Sequence, residues 1–296
     1  MRRSSITLKR RNRRSRAAAL ALVLTIAALG GCSSINSSAT TGAPESEDAL
    51  YAGSPANIAS LTDVVRRNPQ DPQAYNMRGS VLGQAGRYPE ALADFNKAIS
   101  IDPNYAQAYA NRGLVYRQTG KLDLALADYN KALSIDPGYG PAYLGRGMVY
   151  RQQKKLMVAL QDFNRAITLR PDNAQAYYNR GLLYQSQHQH GFAIDDFSTA
   201  IGLAQQQAEP YIARGLSYMA VNKYKDAAED LDQATTIEPQ SVQAWTSRGL
   251  AYERLGDKQK AAGSYARAMN IDQNYGPART GFDRVGGKFG QAYQTF

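Results

Sequence analysis

An all-α chain made by stacking helical hairpins is predicted by three observations in this sequence. An Arg-Gly pair recurs six times at a strict interval of 34 residues, at Gly79, Gly113, Gly147, Gly181, Gly215 and Gly249, with no insertion or loss between copies. Two alanine series keep the same period: Ala91, Ala125, Ala159, Ala193, Ala227 and Ala261, then Ala98, Ala132, Ala166, Ala200, Ala234 and Ala268. Proline closes four of the six units, at Pro103, Pro137, Pro171 and Pro239. Self-similarity at this period decides architecture before any local propensity is consulted. Such an array offers a long ligand-contacting surface and rarely a catalytic cleft.

The elements follow in chain order. Residues 1–31 have the three parts of an export signal. Eight basic residues fall between Arg2 and Arg16, no acidic residue precedes Glu45, and Ala17 to Leu29 is an uncharged apolar run. Its thirteen residues, at about 1.5 Å each, reach only about 20 Å, short of the ~30 Å of a hydrocarbon core. The net charge of +10 is therefore local: without this segment the remainder carries +2. A nucleic-acid footprint is not expected. The run ends in Leu29-Gly30-Gly31-Cys32, which resembles the bacterial lipobox; that resemblance implies acylation of Cys32. An ordinary signal peptide that happens to end in cysteine is the alternative. A twin-arginine signal fits less well, because Ser15-Arg16 rather than hydrophobic residues follow Arg13-Arg14. Cys32 is the sole cysteine, so neither an internal disulfide nor a cysteine metal cluster is possible.

Residues 32–56, rich in Ser, Thr, Ala, Gly and Pro, read as a flexible tether. Ile58, Leu61, Val64 and Val65 then lie at helical spacing before Pro69, which predicts a capping helix within 57–71. Six units occupy 72–275, each started seven residues before its glycine. In each, helix A is expected over positions 2–14 and helix B over 18–30, with a proline or turn behind it. Position 4 is Tyr75, Tyr109, Tyr143, Tyr177, Tyr211 and Trp245; position 24 is Phe95, Tyr129, Phe163, Phe197, Leu231 and Tyr265. A glycine inside helix A costs about 1 kcal/mol relative to alanine. Its repetition at position 8 implies close approach there, with the alanine at position 20 as the expected partner.

These residues and this spacing resemble the tetratricopeptide repeat over 72–275, whereas the pentatricopeptide repeat differs in period and pattern. The resemblance implies a right-handed α-solenoid of six hairpins with flanking cap helices. Beyond the last unit, residues 276–296 read as a cap helix from Pro277 to Val285, stopped by Gly286-Gly287, and an aromatic tail. The C-terminal Phe296 does not make a barrel strand, because Gly290 and Gln294 break the alternation.

Catalytic chemistry finds no support. His188 and His190 lack a visible third ligand for zinc, no nucleophile stands in a recognisable setting, and no phosphate loop occurs. No cofactor is expected. Position 7 is arginine in all six units, and position 23 is Asp94, Asp128, Asp162, Asp196 and Asp230, then Ser264. The arginines are either an anion-binding ladder or, as their shared period favours, structural partners of the aspartates.

The resemblance also implies a concave face lined by helix A positions 2, 5, 9, 12 and 13. In the middle units the candidates are Leu144, Met148, Arg151, Tyr178, Leu182, Ile212, Leu216 and Met219; the first unit offers polar Gln73, Asn76, Ser80, Gly83 and Gln84. An apolar stripe can equally be core. Asn111 and Asn179 resemble part of a carboxylate clamp, but its lysines are missing (Ala110, Tyr178). The expected function is a lipid-anchored periplasmic adaptor, facing the periplasm from the outer membrane, that holds a protein or peptide in its groove. A pilotin-like assembly factor and a non-catalytic docking subunit of an envelope enzyme are the alternatives. Oligomeric state and partner stay open.

Overall fold

A computed structural model of the chain describes residues 53–288 and 290–293. The signal segment, Cys32, most of the tether, Phe289 and Phe296 lie outside the described residues. Within them the chain forms fourteen helices and no strand. The first, α1 (Pro55–Arg67), precedes the units, starting two residues inside the expected tether. Six hairpins follow: α2 (Pro72–Gln84) with α3 (Tyr88–Ile101), α4 (Ala106–Gln118) with α5 (Leu122–Ile135), and α6 (Gly140–Gln152) with α7 (Leu156–Leu169). The rest are α8 (Ala174–Ser186) with α9 (His190–Leu203), α10 (Ala208–Ala220) with α11 (Tyr224–Ile237), and α12 (Val242–Leu255) with α13 (Lys258–Ile271). The last helix is α14 (Gly276–Arg284). Helices A and B each begin one position earlier than the periodicity suggests.

Local chemistry sets these limits. Ser54 and Asp71 accept hydrogen bonds from Asn57 N and Gln73 N, and a proline stands in the first turn behind each. The A–B turn is the same in all six units. Position 15 has positive φ, as Gly86, Gly120 and Gly256 but also as Lys154, His188 and Asn222 at about 60°. The next N–H then returns to the carbonyl of position 11, as in Lys155 N to Tyr150 O at 2.8 Å. This is a left-handed helix stop that satisfies otherwise orphaned carbonyls.

Packing inside a hairpin corrects one expectation. The partner of the position-8 glycine is the side chain at position 24, a ring in five units and Leu231 in the fifth, not the alanine at position 20. A methyl group on Gly147 would lie 2.8 Å from Phe163 Cε1, and one on Gly181 2.6 Å from Phe197 Cε1. Phe95, Phe163, Phe197 and Tyr265 are at most 1% exposed, so the glycine leaves room for a large, fully buried side chain. The helices stack as A on B and B on the next A. Successive A helices also touch, whereas no two B helices pack as closely, so the A layer is the more tightly spaced.

Arg at position 7 joins the hairpins. Arg78, Arg112, Arg146, Arg180 and Arg214 each grip the aspartate of their own helix B through Nε and Nη2, at 2.6–2.8 Å. Nη1 donates backward to position 25 of the preceding unit: Arg112 to Asn96 at 2.6 Å, Arg146 to Asn130 at 2.8 Å, Arg180 to Asn164 at 2.7 Å and Arg214 to Ser198 at 2.9 Å. Each guanidinium also lies over the position-4 ring, between 5.3 Å (Arg248 on Trp245) and 5.9 Å (Arg78 on Tyr75). In the sixth unit the carboxylate has moved: Arg248 bonds Asp232 of the preceding unit at 2.5 Å and Ser264 Oγ at 2.7 Å. The arginine series is thus consumed as staples between units and is not an anion ladder.

Candidate functional site

The residues expected on the A-helix face do not form one continuous groove lining. Tyr178 and Leu182 of α8 meet Ile212 and Leu216 of α10 in a cleft of about 120 Å³, bordered by Gln185, Glu209, Ala213 and Gln243. Their inner halves belong to the core: Tyr178 and Leu182 pack against Ala193, Phe197 and Ala213, and Ile212 is only 6% exposed. Leu144 and Met148 sit half-buried over Ala159, Phe163 and Leu183. Met219 packs onto the C-terminal cluster of α10–α14. Arg151 lies beside Tyr178 and donates from Nη2 to the Asn179 amide oxygen at 3.4 Å.

A second cleft, about 220 Å³, opens at the first two units between Ser80, Gly83, Gln84, Asn111, Leu114 and Gln118. Ser80, Gly83 and Gln84 of the expected first-unit lining are found there, and Asn111 beside them is engaged: its Nδ2 donates to Asn76 Oδ1 at 2.9 Å and to Ser80 Oγ at 3.2 Å. Asn179 is 1% exposed and donates to the Gln175 carbonyl at 2.8 Å. Both asparagines of the suggested clamp are therefore committed to neighbours within the protein. A third opening, about 840 Å³, lies between α12 and α14 and is lined by Leu250, Glu253, Arg254, Tyr265, Pro277 and Arg284.

Charge along the face is read at position 12, the last turn of each A helix: Gly83, Arg117, Arg151, Gln185, Met219 and Glu253. Gln185 donates to Ala213 O and Ser217 Oγ, both at 2.9 Å. Glu253 accepts from Arg284 Nε and Nη2 and from the Tyr265 hydroxyl, and Arg284 holds its carboxyl below the usual range. Arg117 and Arg151 have no such carboxylate within ion-pair distance among the described residues. Burial, reinforced by the like charge of Arg117, lowers the Arg151 pKa, against an opposing effect of Tyr178. Beside them, burial pushes the Tyr129 hydroxyl up to about 12, partly offset by Arg117. Arg117 was not among the sequence candidates, although it occupies the same position as Arg151 one unit earlier.

Among the described residues no group of three or more His, Cys, Asp or Glu side chains could hold a metal ion. His188 and His190 face each other edge-on at 6.1 Å, and His188 is the left-handed residue of its turn. No described helix is long and apolar enough to cross a membrane.

Comparison with known proteins agrees with this architecture. A TPR repeat model matches residues 79–120 and 147–188, and tetratricopeptide repeat models match 106–139, 174–207 and 212–275. The chain belongs to the tetratricopeptide repeat family. Comparison with curated proteins finds no match. Among solved structures it is similar to a chain of the APC/C hetero-tetramer Cut9-Hcn1 (20% identity, TM-score 0.70, 79% of this chain and 46% of that one). It thus spans less than half the length of that relative. It is also similar to Pseudomonas aeruginosa pilF (21% identity, TM-score 0.65, 71% and 95% covered) and to YrrB, described as a TPR protein with an unusual peptide-binding site (24% identity, TM-score 0.53, 63% and 96% covered). At these identities the likeness shows the fold.

Proposed function

We propose that this chain is a lipid-anchored adaptor of the bacterial envelope, holding a protein or peptide partner along its A-helix face and performing no chemistry itself. The observation that carries the binding reading is the cleft where Tyr178, Leu182, Ile212 and Leu216 converge inside a border of Gln185, Glu209 and Gln243. An apolar centre with a polar rim, rich in aromatic and aliphatic anchors, is the anatomy of a protein-binding patch. The envelope reading rests on the basic and apolar leader followed by Cys32, with Ser33 behind it favouring outer-membrane sorting. Each buried methylene of an acyl chain contributes about 0.8 kcal/mol, so two or more chains would hold the protein durably.

The test places a photo-crosslinking residue at Leu216 or Gln243 in the cleft and, as a control, at Met157, which is 67% exposed on α7. Partner adducts in intact envelopes are expected from the first two positions. Adducts from Met157 alone would move the site off the A-helix face. In the same strains the mature chain should begin at Cys32 with acyl mass attached, and Cys32→Ala should abolish that mass. A mature chain that starts upstream of Cys32 overturns the anchor.

A further inference from the structure

We propose that Arg117 and Arg151 form an anion-recognition point on the A-helix face that takes a carboxylate of the bound peptide. This rests on the reading of that face as the binding surface and names the chemistry of its ligand. The two side chains occupy the same register in successive A helices, in the last turns of α4 and α6. In both, Nε is buried and has no hydrogen-bond partner. The contrast with the staple arginines is sharp. Arg112 and Arg146, on the same two helices, each hold an aspartate with two nitrogens at 2.7–2.8 Å. Arg117 has the Tyr129 hydroxyl beside it. Arg151 reaches only the Asn179 amide oxygen, at 3.4 Å from Nη2.

Two neighbouring guanidinium groups without a counter-charge oppose each other, and partial burial makes each costlier to keep charged. Nothing in the packing requires that arrangement, since Gln185 and Met219 fill the same position in later units. A carboxylate set against the two guanidinium groups would cancel this repulsion, because the planar fork matches its two oxygens. Along the face the charge is also placed asymmetrically. Glu253 at the far end is already neutralised by Arg284, and Glu209 acts on Tyr178. A ligand with its acidic end at α4 and α6 and its apolar part toward Tyr178, Leu182 and Leu216 would match the charge and the apolar cleft together.

The experiment uses the mature chain and arrayed short peptides bearing leucine and phenylalanine, each made with and without Asp or Glu and as free acid or C-terminal amide. Wild type is expected to prefer acidic peptides, with a preference that weakens as salt rises. Arg117→Gln and Arg151→Gln should each weaken acidic-peptide binding about tenfold, the scale of one charge-assisted hydrogen bond, and should leave neutral peptides unaffected. The exposed Arg165→Gln control should change neither class. Loss confined to free-acid peptides would assign the carboxylate to a chain end, and loss for amidated peptides containing Asp or Glu to a side chain. Without ligand, Arg151→Gln should melt at the same or a higher temperature than wild type, because an unpaired half-buried charge is removed; a purely structural role for the pair requires a lower one. Peptides that bind in the Leu216 cleft with no acidic preference, or acidic peptides that bind both variants as tightly as wild type, overturn the anion point and leave the adaptor reading standing. Absence of any binding in the cleft counts against both.

Discussion

Tyr129 and Tyr265 carry a hydroxyl where other units have Phe or Leu, and each is followed by a glycine at the sixth position of the next helix, Gly145 in α6 and Gly281 in α14. A methyl group on Gly145 would collide with the Tyr129 ring and hydroxyl, and one on Gly281 with Tyr265. Behind Phe95 and Phe163 the same position is Asn111 and Asn179. Gly145→Ala should therefore overpack this junction and cost about 1–3 kcal/mol. The double variant Tyr129→Phe with Gly145→Asn recreates the phenylalanine–asparagine pairing and should recover at least half of that loss in urea unfolding. The Arg staple has a matching exchange. Arg248 is only 3% exposed, and its carboxylate comes from Asp232 because Ser264 stands where earlier units have Asp. Asp232→Asn should cost about 3 kcal/mol, since it strands a buried guanidinium, and adding Ser264→Asp should restore most of it. Equal stability of the single and double variants would refute the exchange.

At the scale of the element, the six A–B turns share one backbone path but not one residue type. Lys154 and His188 adopt φ of 60° and 59°, where a β-carbon meets the following carbonyl at a penalty of about 1–2 kcal/mol. Lys154→Gly and His188→Gly should each raise stability by about 0.5–1 kcal/mol, after glycine's own entropic cost is counted. Asn222→Gly should raise it less, because asparagine tolerates this region. Chemical denaturation with unchanged helical circular dichroism checks all three, and a loss of stability in His188→Gly would point to a role for that imidazole beyond the turn.

Across the whole array, the last hairpin is closed by α14 through Glu253, which joins Arg284 and Tyr265. The Glu253 carboxyl is held below its ordinary 4.5, by Arg284 first. A depressed folded-state pKa contributes stability above the unfolded value and loses it as pH falls through the folded one. Amide protection in Gly276–Arg284 should therefore decline selectively below about pH 4.5, ahead of the central units, as a solenoid fraying from its end would. Glu253→Gln should show weaker protection at neutral pH and lose that selective decline. Uniform loss across all six units would mean that α14 docking is not the acid-sensitive step.

The 34-residue period, the helical hairpin, the cap helices and the pairing of Arg with Asp were legible in the sequence, because each is a one-dimensional pattern imposed six times by the same packing problem. Tertiary structure alone decided which side chain each glycine accommodates, since the ring at position 24 reaches across the hairpin to a residue sixteen positions away. It also decided that Asn111 and Asn179 are spent on internal hydrogen bonds and that the apolar stripe packs partly into the core. The contrast between Arg146 and Arg151, five residues apart on one helix, is of the same kind. Nothing in their identity separates a satisfied guanidinium from an unsatisfied one; that depends on whether the next helix brings a carboxylate within 3 Å, and only one of the two faces of α6 receives one.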